Sequence, residues 1–445
     1  MARQMKDSGI AWIGEIPETW EVTKAKFILS ANDGGVWGND PADDGNDKVV
    51  IRSTEQTIDG KWCIEAPAVR DLSTAPHASS RILPGDLLIT KSSGSDLHIG
   101  KTTLADEYFE ANECYFSNFI QRIRCKGYLP RLLWYLFNSN IVREQFVYLQ
   151  NTTSGIGNIN ADIIDNLFLP NPPLMMQQRI AAFLDRKCAE IDAVIERTKA
   201  TIEEYKKLKQ AVITEAVTKG VRGPRPMKDS GIEWIGEIPE GWSRVKTLYA
   251  LSMPITDGPH ETPELFDSGV PFVSAEAVSC GKGSIDFDHI RGFISEEYYQ
   301  ECCKKYIPQR NDILMIKSGA TTGRVSVVDT DVKFTIWSPL AVFRCKADIF
   351  SYRYLFYFLQ SDGYQKQIEN KWTFGTQQNI GMRTLEQLIV CYPPLGEQQE
   401  IAAYLDEKCA ALDTLIAKKT ALLTELETYK KSLIYEYVTG KKEVQ

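Results

Sequence analysis

The chain carries one long helical pattern twice, 221 residues apart, and this duplication constrains its fold more than any other feature. Each copy opens on Pro-Pro-Leu, at Pro172 and at Pro393, and continues with Gln-Gln-x-Ile-Ala. An apolar heptad seam follows in each copy, which is typical of helices that pack side by side. Polar residues interrupt the seam at equivalent positions, namely Thr198, Lys209, Lys419 and Lys430. The sequence therefore predicts two long helices built to one plan.

Both helical patterns begin after a proline pair and end near a glycine, Gly220 or Gly440, as helix boundaries commonly do. About 43 residues at 1.5 Å each give a helix of roughly 60 Å, which needs packing of its apolar stripe to be stable. A chain that leaves by one helix and returns by the other makes the pair antiparallel. We therefore predict two long antiparallel coiled-coil helices whose seams cover each other.

A near-identical segment of 16 residues opens each half of the chain. Residues 5–20 and 227–242 agree at 14 of 16 positions, so the chain is a tandem repeat with a predicted pseudo-two-fold axis. The end of the second helix, near Gly440, should then lie close to Met5. The predicted domains are a first lead-in at 1–20, a first body at 21–170, a spacer helix at 171–219, a linker with the second lead-in at 220–242, a second body at 243–392, a second spacer helix at 393–440 and a tail at 441–445.

The two bodies share a skeleton but little sequence. Each has an apolar strand that ends in Lys-Ser, a Gly-basic pair, strands that close on Arg-Cys-Lys, and an aromatic helix-like segment, at 132–149 and 352–368. A Gly/Asn/Gln loop follows in each body, at 154–159 and 375–380. These runs predict mixed α/β bodies. Because the lead-ins and helices agree while the bodies diverge, we expect one partner to bind twice and two different ligands to be recognised.

Composition narrows the functional classes only in part. The 445 residues carry a formal net charge of -8, which argues against an extended basic surface but allows a local basic groove. The ten cysteines include no CxxC pair, and Cys188 and Cys409 fall on the helix seams, as expected of packing residues in a reducing compartment. The sequence shows neither a signal peptide nor an apolar run of membrane length, so we expect a cytoplasmic protein.

Three patterns that suggest catalysis or metal binding lack the required residues or spacing. Residues 171–174 read Asn-Pro-Pro-Leu, where adenine methyltransferases have an aromatic fourth residue that stacks on a flipped base. Residues 94–102 resemble a phosphate-binding loop, but five residues separate its glycines instead of four. The four histidines show no metal-ligand spacing. The sequence therefore predicts neither a catalytic centre nor a metal site.

Three motifs together resemble those of one known family. They are Lys-Asp-Ser-Gly-Ile-x-Trp-Ile-Gly in both lead-ins, Pro-Pro-Leu-x-x-Gln-Gln-x-Ile-Ala at both helix starts, and Gly-Thr-Gln-Gln-Asn-Ile at 375–380. This set is similar to the DNA-specificity subunits of Type I restriction-modification systems, and the resemblance covers essentially the whole chain. The first-body loop departs from it, with Gly-Ile-Gly at 155–157 where the second body has Thr-Gln-Gln.

The resemblance implies a non-catalytic subunit with defined partners. Each body would be a target recognition domain that reads one half of a bipartite, asymmetric double-stranded DNA site, and the helices would be a spacer that docks two modification subunits. Restriction subunits, which translocate DNA, would join through those. Adenine methylation with S-adenosylmethionine and cleavage driven by ATP and Mg would belong to the partner subunits, so this chain would bind no cofactor and no membrane.

The residues expected to contact DNA lie after the Lys-Ser strands and in the Gly/Asn/Gln loops. Short polar and basic side chains there can reach phosphate oxygens, and amide side chains offer a donor and an acceptor to base edges. In the first body they are Lys91, Ser92, Lys101, Thr102 and Asn158. In the second body they are Lys317, Ser318, Thr321, Thr322, Arg324, Gln377, Gln378 and Asn379.

Two other functions remain open from the sequence. The acidic composition is compatible with a non-DNA scaffold whose two divergent domains bind two proteins across a helical spacer. A self-contained methyltransferase would require S-adenosylmethionine binding by the isolated chain, which we do not expect. DNA binding that weakens steeply with salt would distinguish a specificity subunit from the scaffold.

Overall fold

The computed structural model describes residues 3–43, 45, 47–73, 78–95, 97–149, 151–153, 156–374 and 378–444. The chain forms two compact units, of which the first comprises Met1–Thr198 with Ala421–Gln445 and the second Lys199–Thr420. Each unit contains one lead-in, one body and a segment of each long helix. Within the described residues no helix is long and apolar enough to cross a membrane.

The two predicted helices are present and are the longest elements of the chain. The first long helix is Leu174–Lys219 and the second long helix is Leu395–Val438. Each begins directly after its proline pair, because proline lacks the N–H that a helix interior needs. Near their ends Gly220 and Gly440 adopt positive φ angles of 79° and 72°, which glycine tolerates without strain.

In the first unit, the beginning of the first long helix packs against the end of the second. The seam residues Leu184 and Ile191 are buried in one cluster with Leu433, and Leu426 packs against that cluster. Each such buried aliphatic side chain contributes on the order of 2 kcal/mol. Lys430 interrupts the apolar seam, and its ammonium lies 2.5 Å from the Asp192 carboxylate on the other helix. The helices are therefore antiparallel in this unit.

The second unit repeats this arrangement with exchanged roles. Here the end of the first long helix lies beside the beginning of the second, and the Lys209 ammonium is 2.7 Å from the Asp413 carboxylate. Lys209 and Asp413 are the repeat equivalents of Lys430 and Asp192. Half-exposed pairs of this kind are worth roughly 0.2–1 kcal/mol, but polar seam positions also fix helix register. Two of the predicted seam interruptions are therefore inter-helical ion pairs.

Each lead-in is a short hairpin followed by a buried tryptophan. The paired strands are Met5–Asp7 with Glu15–Pro17 in the first unit and Met227–Asp229 with Glu237–Pro239 in the second. Trp20 lies so close to Gly440 that a Cβ at that glycine would be 2.8 Å from its ring. The Arg3 guanidinium donates to the Gly440 carbonyl at 3.3 Å. The end of the second long helix thus lies at the first lead-in, as predicted.

The same contact closes the first long helix in the second unit. There the Arg225 guanidinium donates to the Lys219 carbonyl at 3.0 Å and lies over the ring of Trp242, as Arg3 lies over that of Trp20. Arg225 therefore satisfies a carbonyl that the helix end otherwise leaves unpaired, and Arg3 bonds to the glycine just past the end of the second long helix.

The repeated Gln and Asp of the helix motif fasten each body to its helix. Gln177 is buried, accepts from the backbone N–H of Leu129 at 2.8 Å and donates to Pro172 at 2.9 Å. Gln398 makes the equivalent bonds to Ser351 and Pro393 in the second unit, both at 2.9 Å. About two turns further on, an aspartate accepts hydrogen bonds from an arginine and a tyrosine of the body: Asp185 from Arg131 and Tyr135, and Asp406 from Arg353 and Tyr357.

Each body is built around a four-stranded antiparallel sheet, so both are mixed α/β as predicted. In spatial order the first-body strands are Leu29–Gly34, Ile120–Cys125, Leu87–Thr90 and Thr102–Leu104. The second-body strands are Thr256–Asp257, Leu340–Phe343, Ile313–Ile316 and Val325–Val327. The strands Leu87–Thr90 and Ile313–Ile316 are fully buried, as their uninterrupted apolar sequences indicate.

Shorter elements surround these sheets. In the first body the other strands are Glu21–Lys24, Asp47–Ile51, Ala68–Asp71, Ser92–Ser93, Tyr115–Phe116, Asn151–Thr153, Ile156–Asn158 and Phe168–Asn171. Its helices are Ala25–Phe27, Ser53–Glu55, Ala78–Ser80, Glu107–Ala111, Pro130–Phe137, Asn140–Leu149 and Ala161–Asp165. In the second body the other strands are Ser243–Lys246, Val270–Val273, Phe293–Ile294, Thr335–Ile336, Thr373–Phe374, Gln378–Asn379 and Ile389–Tyr392. Its helices are Thr247–Ala250, Ala275–Cys280, Phe287–His289, Glu296–Cys303, Tyr352–Gln360, Asp362–Glu369 and Met382–Gln387.

The aromatic segment expected as one helical run in each body is a pair of helices. The first pair is Pro130–Phe137 and Asn140–Leu149, and the second is Tyr352–Gln360 and Asp362–Glu369. A serine stands at each break, where the Ser139 and Ser361 hydroxyls donate to carbonyls three residues back, both at 2.7 Å. Such local bonds compete with helix continuation, which explains the break that the apolar pattern did not predict.

We expect a circular permutant to keep this fold. Opening the chain between Gly223 and Pro224, and joining Val444 to Arg3 through a short Gly/Ser linker, breaks no helix, because Arg3 already contacts the end of the second long helix. Its thermal unfolding midpoint should lie within a few degrees of the native one.

The matched control is a permutant opened between Ala193 and Val194. That cut divides the first long helix between the buried seam residues Ile191 and Ile195, so this protein should unfold at a clearly lower temperature. Equal unfolding midpoints for the two permutants would show that the helix is not what holds the unit together.

Candidate nucleic-acid interface

The structure brings together the two polar segments of the first body that the sequence singled out. The backbone of Lys91 donates to Phe119 at 3.0 Å and accepts from Ile159 at 2.8 Å, so the strand end lies between two other segments. Ser92 is paired with Asn158, and its hydroxyl donates to the Asn158 side-chain oxygen at 2.9 Å. We call this pairing of residues 91–93 with 156–158 the first Lys-Ser edge.

The second body builds the same edge from different residues. The backbone of Lys317 donates to Pro339 at 2.8 Å and accepts from Ile380 at 2.9 Å. Ser318 is bridged to Asn379, and the N–H of Gly319 donates to the Gln378 carbonyl at 3.0 Å. Residues 317–319 with 378–380 form the second Lys-Ser edge, while Gln377 lies outside the described residues.

A Gly-basic pair closes a turn beside each edge in the same register. In the first body the backbone N–H of Gly100 donates to the Thr90 carbonyl at 2.8 Å, and that of Thr90 donates to the Lys101 carbonyl at 2.9 Å. In the second body Gly323 donates to Ile316 at 2.8 Å, and Ile316 donates to Arg324 at 2.9 Å. The two glycines have φ angles of 74° and 93°. A side chain at either would collide with a neighbouring helix residue, so both positions require glycine.

Those neighbouring helix residues include a support that the sequence analysis missed. The Arg143 guanidinium donates to Leu97 at 2.8 Å and also to Ile99, and it thereby holds the turn of the first body. The equivalent residue of the second body, Gln365, donates to Gly323 at 3.0 Å. Arg143 and Gln365 occupy equivalent positions in the two aromatic segments, but the apolar pattern of these segments does not distinguish them from other polar residues nearby.

Lys101 and Thr102 do not lie in an exposed loop, which corrects the placement expected from sequence. Lys101 is only 4% exposed, and its ammonium donates to the carbonyls of Ser53 and Gln56, both at 2.8 Å. Burial, with a smaller contribution from Arg143, lowers the pKa of Lys101. Thr102 is fully buried and bonds to Gly100 at 3.0 Å. Both side chains therefore stabilise the turn from inside.

Lys317 lies at the edge but is paired within the body. Its side chain is 11% exposed, and its ammonium lies 3.3 Å from the carboxylate of Asp257, which is fully buried. The Lys305 ammonium and the His260 ring, the latter at 3.2 Å, contact the same carboxylate. Burial opposes ionisation of Asp257, but Lys305 and Lys317 outweigh it and lower the pKa of this group.

The other predicted second-body contacts are at least partly exposed, apart from Gln377, which lies outside the described residues. Arg324 and Asn379 are exposed, whereas Ser318, Thr321, Thr322 and Gln378 are half-buried. The Thr322 hydroxyl donates to Gly319 at 2.7 Å, which steadies the turn, and Arg324 reaches Ser279 at 3.4 Å. Basic, hydroxyl and amide groups are thus accessible in this body, and contact with DNA stays a prediction for all of them. Among the described residues, no three His, Cys, Asp or Glu side chains are grouped to hold a metal ion.

The fold and these edges define a class: a tandem-repeat protein with two long helices that are antiparallel in each unit and with two bodies that present similar but non-identical polar edges. A comparison with family models agrees with this class. The family described as "Type I restriction modification DNA specificity domain" matches residues 17–204 and 261–427. This chain belongs to that family.

Individual relatives and solved structures agree. The putative type I restriction enzyme MjaX specificity subunit of Methanocaldococcus jannaschii is 27% identical over 435 residues, covering 96% of this chain and 95% of that protein. The EcoKI specificity subunit of Escherichia coli is 22% identical, covering 96% of this chain and 90% of its own.

Two solved structures share the fold. A chain from a structure of type I R-M system assembly and conformational transition has a TM-score of 0.71 at 20% identity, covering 95% of this chain and 98% of its own. The HsdS subunit from Thermoanaerobacter tengcongensis has a TM-score of 0.51 at 19% identity, covering 96% of this chain and 98% of its own.

The ion cluster around Asp257 predicts a pH-dependent contribution to stability. The Asp257→Asn variant keeps the shape but leaves Lys317 without a counterion, so it should lose on the order of 2 kcal/mol at neutral pH. Because the folded pKa of Asp257 is lowered, the native contribution is complete above the unfolded pKa of about 3.9 and disappears as pH falls through the folded value. Thermal unfolding midpoints of the two proteins should therefore converge below about pH 4.

A matched control is Asp331→Asn, which removes a carboxylate that is 83% exposed and pairs with Arg310. It should change the unfolding midpoint little at any pH. A midpoint difference for Asp257→Asn that is the same at pH 7 and pH 3 would contradict the assigned ion pair.

Proposed function

We propose that this chain is the specificity subunit of a Type I restriction-modification complex and that each body reads one half of a bipartite, asymmetric DNA site. One observation carries this proposal: the same Lys-Ser edge is built twice with the same backbone register but different side chains. Two edges with the same backbone arrangement but different side chains are suited to two half-sites of different base sequence. The family membership of the chain supports the same function.

The chemistry of the edges suits double-stranded DNA. Asn and Gln side chains, as in Asn158 and Gln378, offer a donor and an acceptor together and can pair with base edges in the major groove. Lysine, arginine and hydroxyl groups bind phosphate oxygens and set the register on the duplex. The net charge of -8 is no obstacle, because phosphate binding depends on local charge.

The long helices dock two modification subunits in this proposal. The repeat keeps apolar side chains exposed at equivalent helix positions: Val194 at 43% and Leu415 at 40%, and Leu208 at 48% and Tyr429 at 55%. Val194 and Tyr429 belong to the first unit, and Leu208 and Leu415 to the second. Exposed apolar residues that recur in both units suit one partner bound twice.

Catalysis belongs to the partner subunits in this proposal. S-adenosylmethionine would be bound by the modification subunits, and ATP and Mg by restriction subunits that join the complex. This chain would recognise the DNA site and position its partner subunits on it, without a cofactor of its own.

A body exchange tests the function directly. Residues 21–170 are replaced by the corresponding body of a relative, and methylated adenines are mapped across the genome of cells that carry the complete system. One half of the methylated sequence should change and the other half should stay the same, because the Lys-Ser edges belong to separate bodies. Exchange of residues 243–392 is the reciprocal control and should change only the other half. A protein scaffold would leave the methylated sequence unaltered, and that result would overturn the proposal.

The docking surface has its own test in each unit. The double variant Leu208→Ser, Leu415→Ser removes the exposed apolar pair of the second unit, so native mass spectrometry of the purified complex should show one modification subunit instead of two. The double variant Val194→Ser, Tyr429→Ser should do the same through the first unit.

The matched control replaces two exposed polar residues of the same helix segments, Lys207→Ser and Lys418→Ser. It removes charge but no apolar surface, so both modification subunits should stay bound. Full occupancy in all three double variants would place the docking surface elsewhere.

A further inference from the structure

The two Lys-Ser edges differ at one position beside their lysines. In the first body Gly34 is paired with Gln121, which is paired on its other side with Ile89, two residues before Lys91. In the second body Asp257 is paired with Ala341, which is paired on its other side with Met315, two residues before Lys317. Lys91 and Lys317 themselves make the same backbone bonds. The sheet register therefore makes Gly34 the counterpart of Asp257, so one edge has a carboxylate where the other has only a hydrogen atom.

Asp257 restrains Lys317. The carboxylate is fully buried, and the lysine side chain above it is 11% exposed. Lys305 contacts the same carboxylate from a second direction. A phosphate that approached Lys317 would compete with a carboxylate already in place, so part of the charge of this ammonium is offset before any ligand arrives.

Lys91 has no such restraint from any residue that the structure describes. Within the described part of the chain, its ammonium contacts no carboxylate and no hydrogen-bond acceptor, although the residue is half-buried. Burial lowers the pKa of this group, which is the expected cost of an ammonium without a counterion. A Cβ at Gly34 would lie 3.4 Å from the Lys91 nitrogen, so the ammonium occupies the space that a side chain at Gly34 would fill. An anion from outside would offset the cost of burying it.

We propose that Lys91 binds a phosphate of the DNA half-site read by the first body, and that glycine at position 34 keeps this lysine available. Asp257 has the opposite effect: it is a positioning residue that holds Lys317 in an ion pair within the body. The second edge then contacts its half-site through neutral groups such as Gln378. The first body thus supplies a counterion-releasing phosphate contact that the second edge lacks. This inference rests on the proposed function, because it names how one edge holds DNA.

The test measures affinity against salt concentration for the full chain assembled with its modification subunits, on DNA that contains the methylated site. Each phosphate contact made by a lysine contributes about one to the slope of log affinity against log salt. The Lys91→Ala variant should therefore lower the slope by about one. Gly34→Asp places a carboxylate beside Lys91, as in the second body, and should lower the slope by a similar amount. The double variant should show no further loss, because both changes remove the same contact.

Gly34→Asn is the matched control, since it has the size of aspartate without its charge. Its slope should equal that of the wild type, and thermal unfolding of each variant checks that the first body is folded. A low slope for Gly34→Asn would attribute the effect to shape and overturn the charge argument. Lys91→Ala with an unchanged slope would overturn the proposal even if Gly34→Asp failed to fold.

The second body provides an internal comparison. Lys317→Ala should lower the slope clearly less than Lys91→Ala, because Asp257 already holds that ammonium and offsets part of its charge. Equal losses would show that the carboxylate does not restrain Lys317. Failure of the proposed function is distinguishable from all these results, since wild-type protein would then show no steep, site-specific dependence on salt at all.

Discussion

The antiparallel contact of the two long helices is the constraint on which the rest of the structure depends. Neither helix hides its apolar seam alone, and in each unit the seam of one is covered by the seam of the other. The ion pairs of Lys430 with Asp192 and of Lys209 with Asp413 stand where the seam is polar. An apolar seam alone tolerates sliding by a heptad, whereas these pairs form at one register only. The helices thereby fix where each body is attached.

Much of this architecture follows from sequence because it depends on local patterns. The tandem repeat, the helix ends near Gly220 and Gly440, and the mixed α/β bodies were all predicted, since heptad spacing, proline pairs and apolar runs act over short stretches. The break at Ser139 was not predicted, because one serine hydroxyl bonded to a carbonyl leaves the apolar pattern unchanged.

The candidate site was less predictable, because it depends on partners distant in sequence. Lys101 follows a glycine like any loop lysine, yet its ammonium is held by carbonyls nearly 50 residues away. Lys91 and Lys317 match in sequence, and only the sheet register reveals that glycine faces one and aspartate the other. Pairing across strands decides which lysines are available, and that information is absent from a linear motif.

Two different physical reasons account for the residues that recur in both lead-ins and both long helices. The buried Gln177 and Gln398, and the aspartates that follow them, recur because each ties a body to its helix. That explanation does not extend to Val194 and Leu415, which are about 40% exposed. A water-facing apolar residue that recurs at the same helical position gains nothing from anchoring the body, and its repetition is what the proposed docking of one partner at two sites requires. The joint between body and helix thus accounts for the buried repeated residues, whereas the exposed ones are accounted for by the proposed docking surface.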